Sequence, residues 1–374
     1  MRNSILIYHI GSIGDTVATY PVLRAARRHF GDGVKITLLH DRQAASVVSA
    51  RSVLEGTGLI EDSIDYDASV RGWSRLRSSL ALWAKLLIGG YQAAVYAVQS
   101  VRSPQQVRRD RLFFRLCGIR QLLGFHALDE RQLHPRDGNG RPLRVQQEAI
   151  RRLSRLRLDG MNTHPEDAAP PFLAVPEQER DAVDAWLRQN RTRPELPLVA
   201  LCPFSKQQAC EWPTARLVEI GRRLLRSYPL ELVLVGGAKD RTECESMISQ
   251  WDAGINAAGR FSVMGSAALL ARCAFAITLD SGPMHLAAAV GTPCVALFSG
   301  HDFPGQWEPL GDGHLVVRNK VDCEGCGLQS CPFPDHPCMR GIGADAVWDA
   351  VTRMCDSIRV PRSCGAAAAG RAGR

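Results

Sequence analysis

No uninterrupted hydrophobic run in the chain reaches membrane-spanning length. The nearest, Ser79–Val98, is interrupted by Lys85 and split at Gly89-Gly90 into a helix-like and a strand-like half, which excludes a span of about 20 apolar residues. Nothing resembles a secretory signal either, since the first apolar run, Ile5–Ile10, is short and carries His9, and none is expected. There is no G-x-S-x-G turn, so a Ser-His-Asp hydrolase has no support. There is no G-x-G-x-x-G either, the usual dinucleotide fingerprint.

What is present is the composition of a soluble globular protein, 45% hydrophobic and 22% charged. At 374 residues the chain is long for one core, and two domains are expected. Twelve cysteines without a signal point to reduced thiols in the cytoplasm rather than a disulfide framework. The net charge of +8 is uneven: residues 1–165 carry +11 and the remainder −3. Much of the basic charge lies in Arg102–Arg120 and Arg131–Arg157. Such a body suits nucleic acid, an anionic membrane or an anionic acceptor, or it is an arginine-rich solvated face.

A strand pattern, Ile5–Ile10, a glycine turn, a helix over Thr16–Phe30 and a second strand, Val34–His40, make a βαβ unit with a parallel pair. A helix over Leu76–Leu87 and a strand over Ala93–Gln99 follow. The proline-rich stretch "HPEDAAPPFLAVPEQE" from His164 separates the halves. Alternation then restarts, with strands at Leu198–Cys202, Glu231–Val235, Phe275–Leu279 and Pro293–Phe298. Helices are expected over Gln178–Gln189, Thr214–Ser227 and Ser266–Cys273, with an alanine-rich helix before Pro293. The expectation is an α/β protein of two Rossmann-like, doubly wound domains facing each other across a cleft, 1–165 and 180–360. Residues 166–179 form the linker and 361–374 a disordered, low-complexity tail. Ligands in such sheets bind beyond the carboxyl ends of strands, so the loops there are where chemistry is expected.

In "HIGSIGDTV", Gly11 and Gly14 permit a tight turn, and Asp15 stands where the next helix starts. Asp15 reads as a helix cap, as a base that takes a proton from a hydroxyl, or as part of a dinucleotide site. In "CPFSKQQACEWP", Lys206 can reach a phosphate on its long stem, or is simply solvated. In "LVLVGGAKDRTE", the glycines allow close backbone approach, and Asp240 or Glu243 could bond a ribose hydroxyl. In "ITLDSGPMHLAAAVGTPCVALFSG", Pro283 starts a helix whose first amides, with Ser281 and Gly282, make an anion site. Asp280 fixes that loop or touches sugar hydroxyls, and His285 adds charge or a hydrogen bond, or is structural. Cys323, Cys326, Cys331 and Cys338 have the density of a zinc or iron knuckle without a standard spacing.

"ILIYHIGSIGDTVATYPVLRAARRHF" and the D-S-G-P-x-H-L-A-A-A-x-G-T-P block resemble glycosyltransferase family nine, the ADP-heptose:lipopolysaccharide heptosyltransferases. The Ser-Lys…Trp-Pro and Gly-Gly loops fit the same pattern, and C-terminal cysteines recur in relatives. The resemblance implies a GT-B fold with the acceptor on the first domain and the nucleotide sugar on the second. It implies an inverting, metal-independent transfer from ADP-heptose to an anionic inner-core glycolipid, with no cofactor required and no nucleic acid bound. The enzyme would work in the cytoplasm, peripheral at the inner face of the inner membrane. Asp15 matches the general base, within the acceptor-side loop of Gly11, Ser12 and Gly14. Lys206, Asp280, Ser281, Gly282, Met284 and His285 match donor-site positions, with Phe261 on the adenine and Asp240 or Glu243 at the ribose. A second basic residue of some members is replaced by Cys210. Rival expectations are another donor or a protein or glycan acceptor within the family, a nicotinamide-dependent oxidoreductase, and a metal-binding assembly protein.

Overall fold

The computed structural model describes residues 3–42, 48–67 and 69–363. The chain divides between Ala174 and Val175 into two compact units. Residues 364–374, most of the expected tail, lie outside the described residues, while the Ser363 amide donates to the Ser227 carbonyl at 2.9 Å.

In the first unit, β1 (Ser4–His9), β2 (Lys35–Asp41), β3 (Asp62–Tyr66), β4 (Ala93–Tyr96) and β5 (Gln121–Leu123) form a parallel sheet of order β3-β2-β1-β4-β5. The central strands are apolar on both faces, as parallel strands covered by helices must be: residues 5–8 of β1 and 93–96 of β4 are all buried. The helices are α1 (Ile13–Val17), α2 (Tyr20–Phe30), α3 (Ala50–Leu54), α4 (Gly72–Gly89), α5 (Pro104–Leu116), α6 (Glu130–Leu133) and α7 (Glu148–Leu158). The single helix expected over Thr16–Phe30 is two, broken at Ala18-Thr19. Pro21 has no amide to give the carbonyl four residues back and its ring crowds it, so it can only open a new helix. In the proline-rich stretch, Asp167 pairs with Arg28 of α2, and Phe172 packs on Tyr20.

In the second unit, α8 (Glu177–Asn190) precedes a six-stranded parallel sheet of order β11-β10-β9-β6-β7-β8. Its strands are β6 (Leu198–Cys202), β7 (Glu231–Leu234), β8 (Ile255–Asn256), β9 (Phe275–Leu279), β10 (Cys294–Phe298) and β11 (Leu315–Arg318). The helices α9 (Thr214–Ser227), α10 (Arg241–Trp251), α11 (Val263–Leu270), α12 (Gly282–Ala289), α13 (Pro337–Arg340) and α14 (Ala344–Ser357) complete the unit. α11 starts three residues before the expected Ser266, because the Ser262 hydroxyl accepts the Gly265 amide at 2.9 Å and caps it. α12 buries Met284 to Ala289, and its alanines let it lie close on the sheet.

Each sheet reverses its strand order once, between β1 and β4 in the first unit and between β6 and β9 in the second. Such switch points open a crevice beyond the strand ends. The loop bearing Asp15 follows β1, and those bearing Lys206 and Asp280 follow β6 and β9.

Candidate active site

At the first switch point Asp15 is buried, 6% exposed, and its carboxylate is held from three directions. Gln99, just beyond β4, donates Nε2 to Oδ1 at 2.6 Å, Arg152 of α7 donates Nη2 to the same oxygen at 3.1 Å, and the Ser12 amide donates to Oδ2 at 3.0 Å. A carboxylate has about four lone-pair sites, so one direction on Oδ2 has no donor among the described residues. Burial pushes the Asp15 pKa up, while Arg152, Gln99 and the Ser12 amide pull against it. The turn needs glycine at residue 11: φ is +136°, and a Cβ there would stand 2.2 Å from the Asp15 carboxyl carbon.

Arg152 is itself fully buried. Its Nε donates to Glu148 Oε1 at 3.0 Å and its Nη1 to the Asp15 carbonyl and the Thr19 hydroxyl, both at 2.8 Å. Glu148 Oε1 also accepts the Ser100 amide at 2.8 Å, so one buried ion triad ties the loops after β1 and β4 to α7. His9 closes the back of the loop between the Thr16 and Thr19 hydroxyls, each at 3.1 Å, and burial lowers its pKa to about 3. The ring is therefore neutral.

On its other side α7 lines a cavity of about 440 Å³ with Arg151 and Arg155, across from Arg131 and Arg144. Arg151 Nη1 and Arg155 Nε and Nη1 are buried there without a hydrogen-bond partner among the described residues. Burial lowers both arginine pKa values, that of Arg155 to about 10. The exposed Arg131 and Arg144 are the side chains an anion in this cavity would meet.

At the second switch point the Ser205 hydroxyl donates to the Asp280 carbonyl at 3.2 Å, joining the loops after β6 and β9, and the adjoining Lys206 is exposed. Asp280 is half-buried; burial and the nearby Asp302 raise its pKa, and Arg318 opposes them. Ser281 is the N-cap of α12, and no side chain among the described residues caps that end. Pro283 has no amide and that of Met284 donates to the Ser281 carbonyl, so the amides of Ser281 and Gly282 are those a diphosphate would use.

The expected donor-site residues differ in burial and in partners. Met284 is fully buried and its amide donates to the Ser281 carbonyl at 3.1 Å, so it belongs to the helix and not to a ligand-facing rim. His285 lies edge-on to Trp307 at 5.9 Å, and burial lowers its pKa to about 4; it is neutral and adds no charge toward a diphosphate. Asp240 accepts the Gly237 amide at 2.8 Å and thus closes the Gly-Gly turn, with Glu243 one turn on in α10. Phe261 is half-buried against Trp186, ring centroids 5.3 Å apart. Cys210 is buried beside Ser299 at 3.5 Å and cannot stand in for a basic residue at a phosphate. Among the described residues no group of three or more His, Cys, Asp or Glu is placed to hold a metal, so Cys323, Cys326, Cys331 and Cys338 do not converge into a ligand set; Cys338 is buried and Cys326 exposed. The four thiols are nonetheless neighbours, since after burial it is Cys326, Cys338 and Cys331 that raise the Cys323 pKa.

Sequence reading singled out Asp15 but missed Gln99, Glu148, Arg152 and Ser205. Glu148 and Arg152 stand four apart on one helix face, the one local signal available. A dinucleotide reading of the first loop loses its ground, because Asp15 already occupies the Ser12 amide that a pyrophosphate would need.

Two Rossmann-like units of parallel sheet, each with one switch point, define an α/β fold of GT-B type. The model for glycosyltransferase family 9 (heptosyltransferase), the family of the resemblance, matches residues 165–336, just under half of the chain. Lipooligosaccharide heptosyltransferase 2 of Haemophilus influenzae is 29% identical over 155 residues, 40% of this chain and 44% of that protein; the match thus spans under half of the relative. Among solved structures, Escherichia coli ADP-heptose lps heptosyltransferase II superposes with a TM-score of 0.67 at 19% identity, covering 96% of this chain and all of that one. Escherichia coli heptosyltransferase WaaC with ADP-2-deoxy-2-fluoro heptose gives 0.61 at 16% identity, covering 94% of this chain and 99% of that one.

Proposed function

We propose that the protein transfers a heptose from ADP-heptose to an anionic lipopolysaccharide inner-core acceptor, with inversion and without a metal ion. The observation that carries the reading is Asp15: a buried carboxylate with a raised pKa, fixed at a switch point, with one lone pair of Oδ2 unused. An acceptor hydroxyl gives its proton to Oδ2 as its oxygen bonds to the anomeric carbon. The bond from that carbon to the ADP oxygen breaks on the opposite face, and ADP leaves with the electron pair. Lys206 and the first amides of α12 take the developing diphosphate charge, which is work a divalent ion does in other transferases. Phe261 packs on the adenine, and Asp280 contacts the sugar. The cavity of Arg131, Arg144, Arg151 and Arg155 supports an acceptor that carries phosphates or carboxylates.

Incubation with ADP-heptose and truncated lipopolysaccharide acceptors, followed by mass spectrometry, tests the reaction. One added heptose per acceptor is expected. A product with another sugar or on another acceptor would revise the substrates, and no product at all would overturn the transfer. Asp15→Asn should lower turnover by roughly 10²–10⁴-fold while ADP still binds; unchanged turnover would remove Asp15 as the base.

A further inference from the structure

The first unit has an apolar face that its own fold leaves uncovered. Along α4, Trp73, Leu76, Leu80, Trp83 and Leu87 recur at steps of three and four residues, so they share one side of the helix. All five are exposed, Trp73 to 83%. Every residue from Arg71 to Ala81 is exposed, so the leading turns of α4 bury no side chain. Helical turns without a packed face are marginal in water. The stripe continues onto α5, because Trp83 Nε1 donates to the Leu116 carbonyl at 2.9 Å, and Leu112 and Leu116 are 59% and 62% exposed. Nine of the fourteen exposed large hydrophobic residues among those described fall between Trp73 and Leu116, which makes this a patch rather than scatter.

Charge selects what covers it. Between Asp67 and Asp110 the sequence has seven Lys or Arg and no Asp or Glu. Arg71, Arg75, Arg77 and Lys85 are exposed on α4, and Arg108, Arg109 and Arg115 on α5. A second copy of the chain would bring the same cations against these ones. An anionic bilayer offers acyl chains to the stripe and headgroup phosphates to the arginines. We infer that the α4–α5 face docks the first unit on an anionic bilayer surface, with α4 lying in the plane of the interface. β4 runs between these two helices in sequence, and Gln99 beyond its end touches Asp15, so the docked face and the base share one sheet. Docking of this kind does not depend on which sugar is transferred.

Co-sedimentation of the full chain with vesicles tests it, using phosphatidylcholine alone and phosphatidylcholine mixed with phosphatidylglycerol. The protein should partition onto the anionic vesicles only, and less so as salt rises. Leu76→Glu with Leu80→Glu should weaken partitioning on the order of tenfold or more at an unchanged melting temperature, since neither side chain is in the core. Arg75→Glu with Arg77→Glu should weaken it on anionic vesicles as well. Absent partitioning, or equal partitioning by the leucine double variant, would overturn the docking. So would a dimer of the parent chain that the same variant dissolves, which would give the face to a second copy.

Discussion

Arg152 holds Asp15 at two points, Nη2 on the carboxylate at 3.1 Å and Nη1 on the backbone carbonyl at 2.8 Å. One guanidinium thus sets both where the carboxyl points and how readily it ionises. The planar fork is what allows both bonds at once, and a lysine could make only one of them well.

Arg152→Gln should therefore move the acid limb of the kcat/KM profile to higher pH. Asp15 must be ionised to accept a proton, its folded pKa is already raised by burial, and Arg152 is the largest effect opposing that rise. Without the cation the carboxylate forms only at higher pH, so activity at low pH is lost first. Arg152→Lys should shift the limb less. A uniform loss of rate with an unmoved limb would show that Arg152 only supports the fold; since breaking a buried pair costs about 3–5 kcal/mol, thermal melts accompany the profiles.

Much of this fold follows from local pattern. The apolar strands β6 and β9 and the helix α9 stand where residue type places them, because a continuous apolar run or a 3.6-residue period is a local property. β8 has two residues and β5 three, too short for any period to show, and β11 is only half-buried on an edge. Asp15 was legible as an acid at a helix start behind glycines. Arg152 was not, because its meaning comes from an atom 137 residues away, brought close by strand order. His285 misled for the converse reason: its spacing suits a ligand-facing turn, yet the rotation of α12 turns it into the core against Trp307.

Lys206→Ala should cost the donor side and spare the acceptor side. A charge-assisted hydrogen bond is worth about 1.5–3 kcal/mol, so kcat/KM for ADP-heptose should fall on the order of 10–100-fold. Cys210, buried two residues before Trp212, has no positive charge to compensate. Ser205→Ala removes the link to the Asp280 carbonyl and should give a smaller loss in the same parameter. Steady-state kinetics with each substrate varied in turn checks both; a donor KM and kcat untouched by Lys206→Ala would separate that loop from the diphosphate.

Arg131→Ala and Arg144→Ala should raise the acceptor KM and leave the donor KM in place. Both residues are exposed at the rim of the arginine-lined cavity, so the fold does not depend on them as it does on Arg155. Exposed charges are screened over about 10 Å at 0.1 M salt, so added salt should raise the parent's acceptor KM more than its donor KM. The two variants should lose part of that salt dependence. Equal salt sensitivity of both substrates would place the acceptor's anionic groups elsewhere.

Acid should destabilise the second unit through His285. Its folded pKa of about 4 lies below the usual 6.5, so the unfolded chain takes the proton first as pH falls. Stability is full above about pH 6.5 and declines from there to about pH 4, at about 1.4 kcal/mol per pH unit. His285→Phe keeps a ring against Trp307 and cannot titrate, so by pH 5 it should be spared about 2 kcal/mol of the parent's loss. His9, lowered to about 3 by burial, remains in the variant and keeps a residual slope. Denaturant melts of parent and variant at pH 7 and pH 5 measure the difference directly. Parallel losses in the two proteins would mean that His285 is not held neutral by its surroundings.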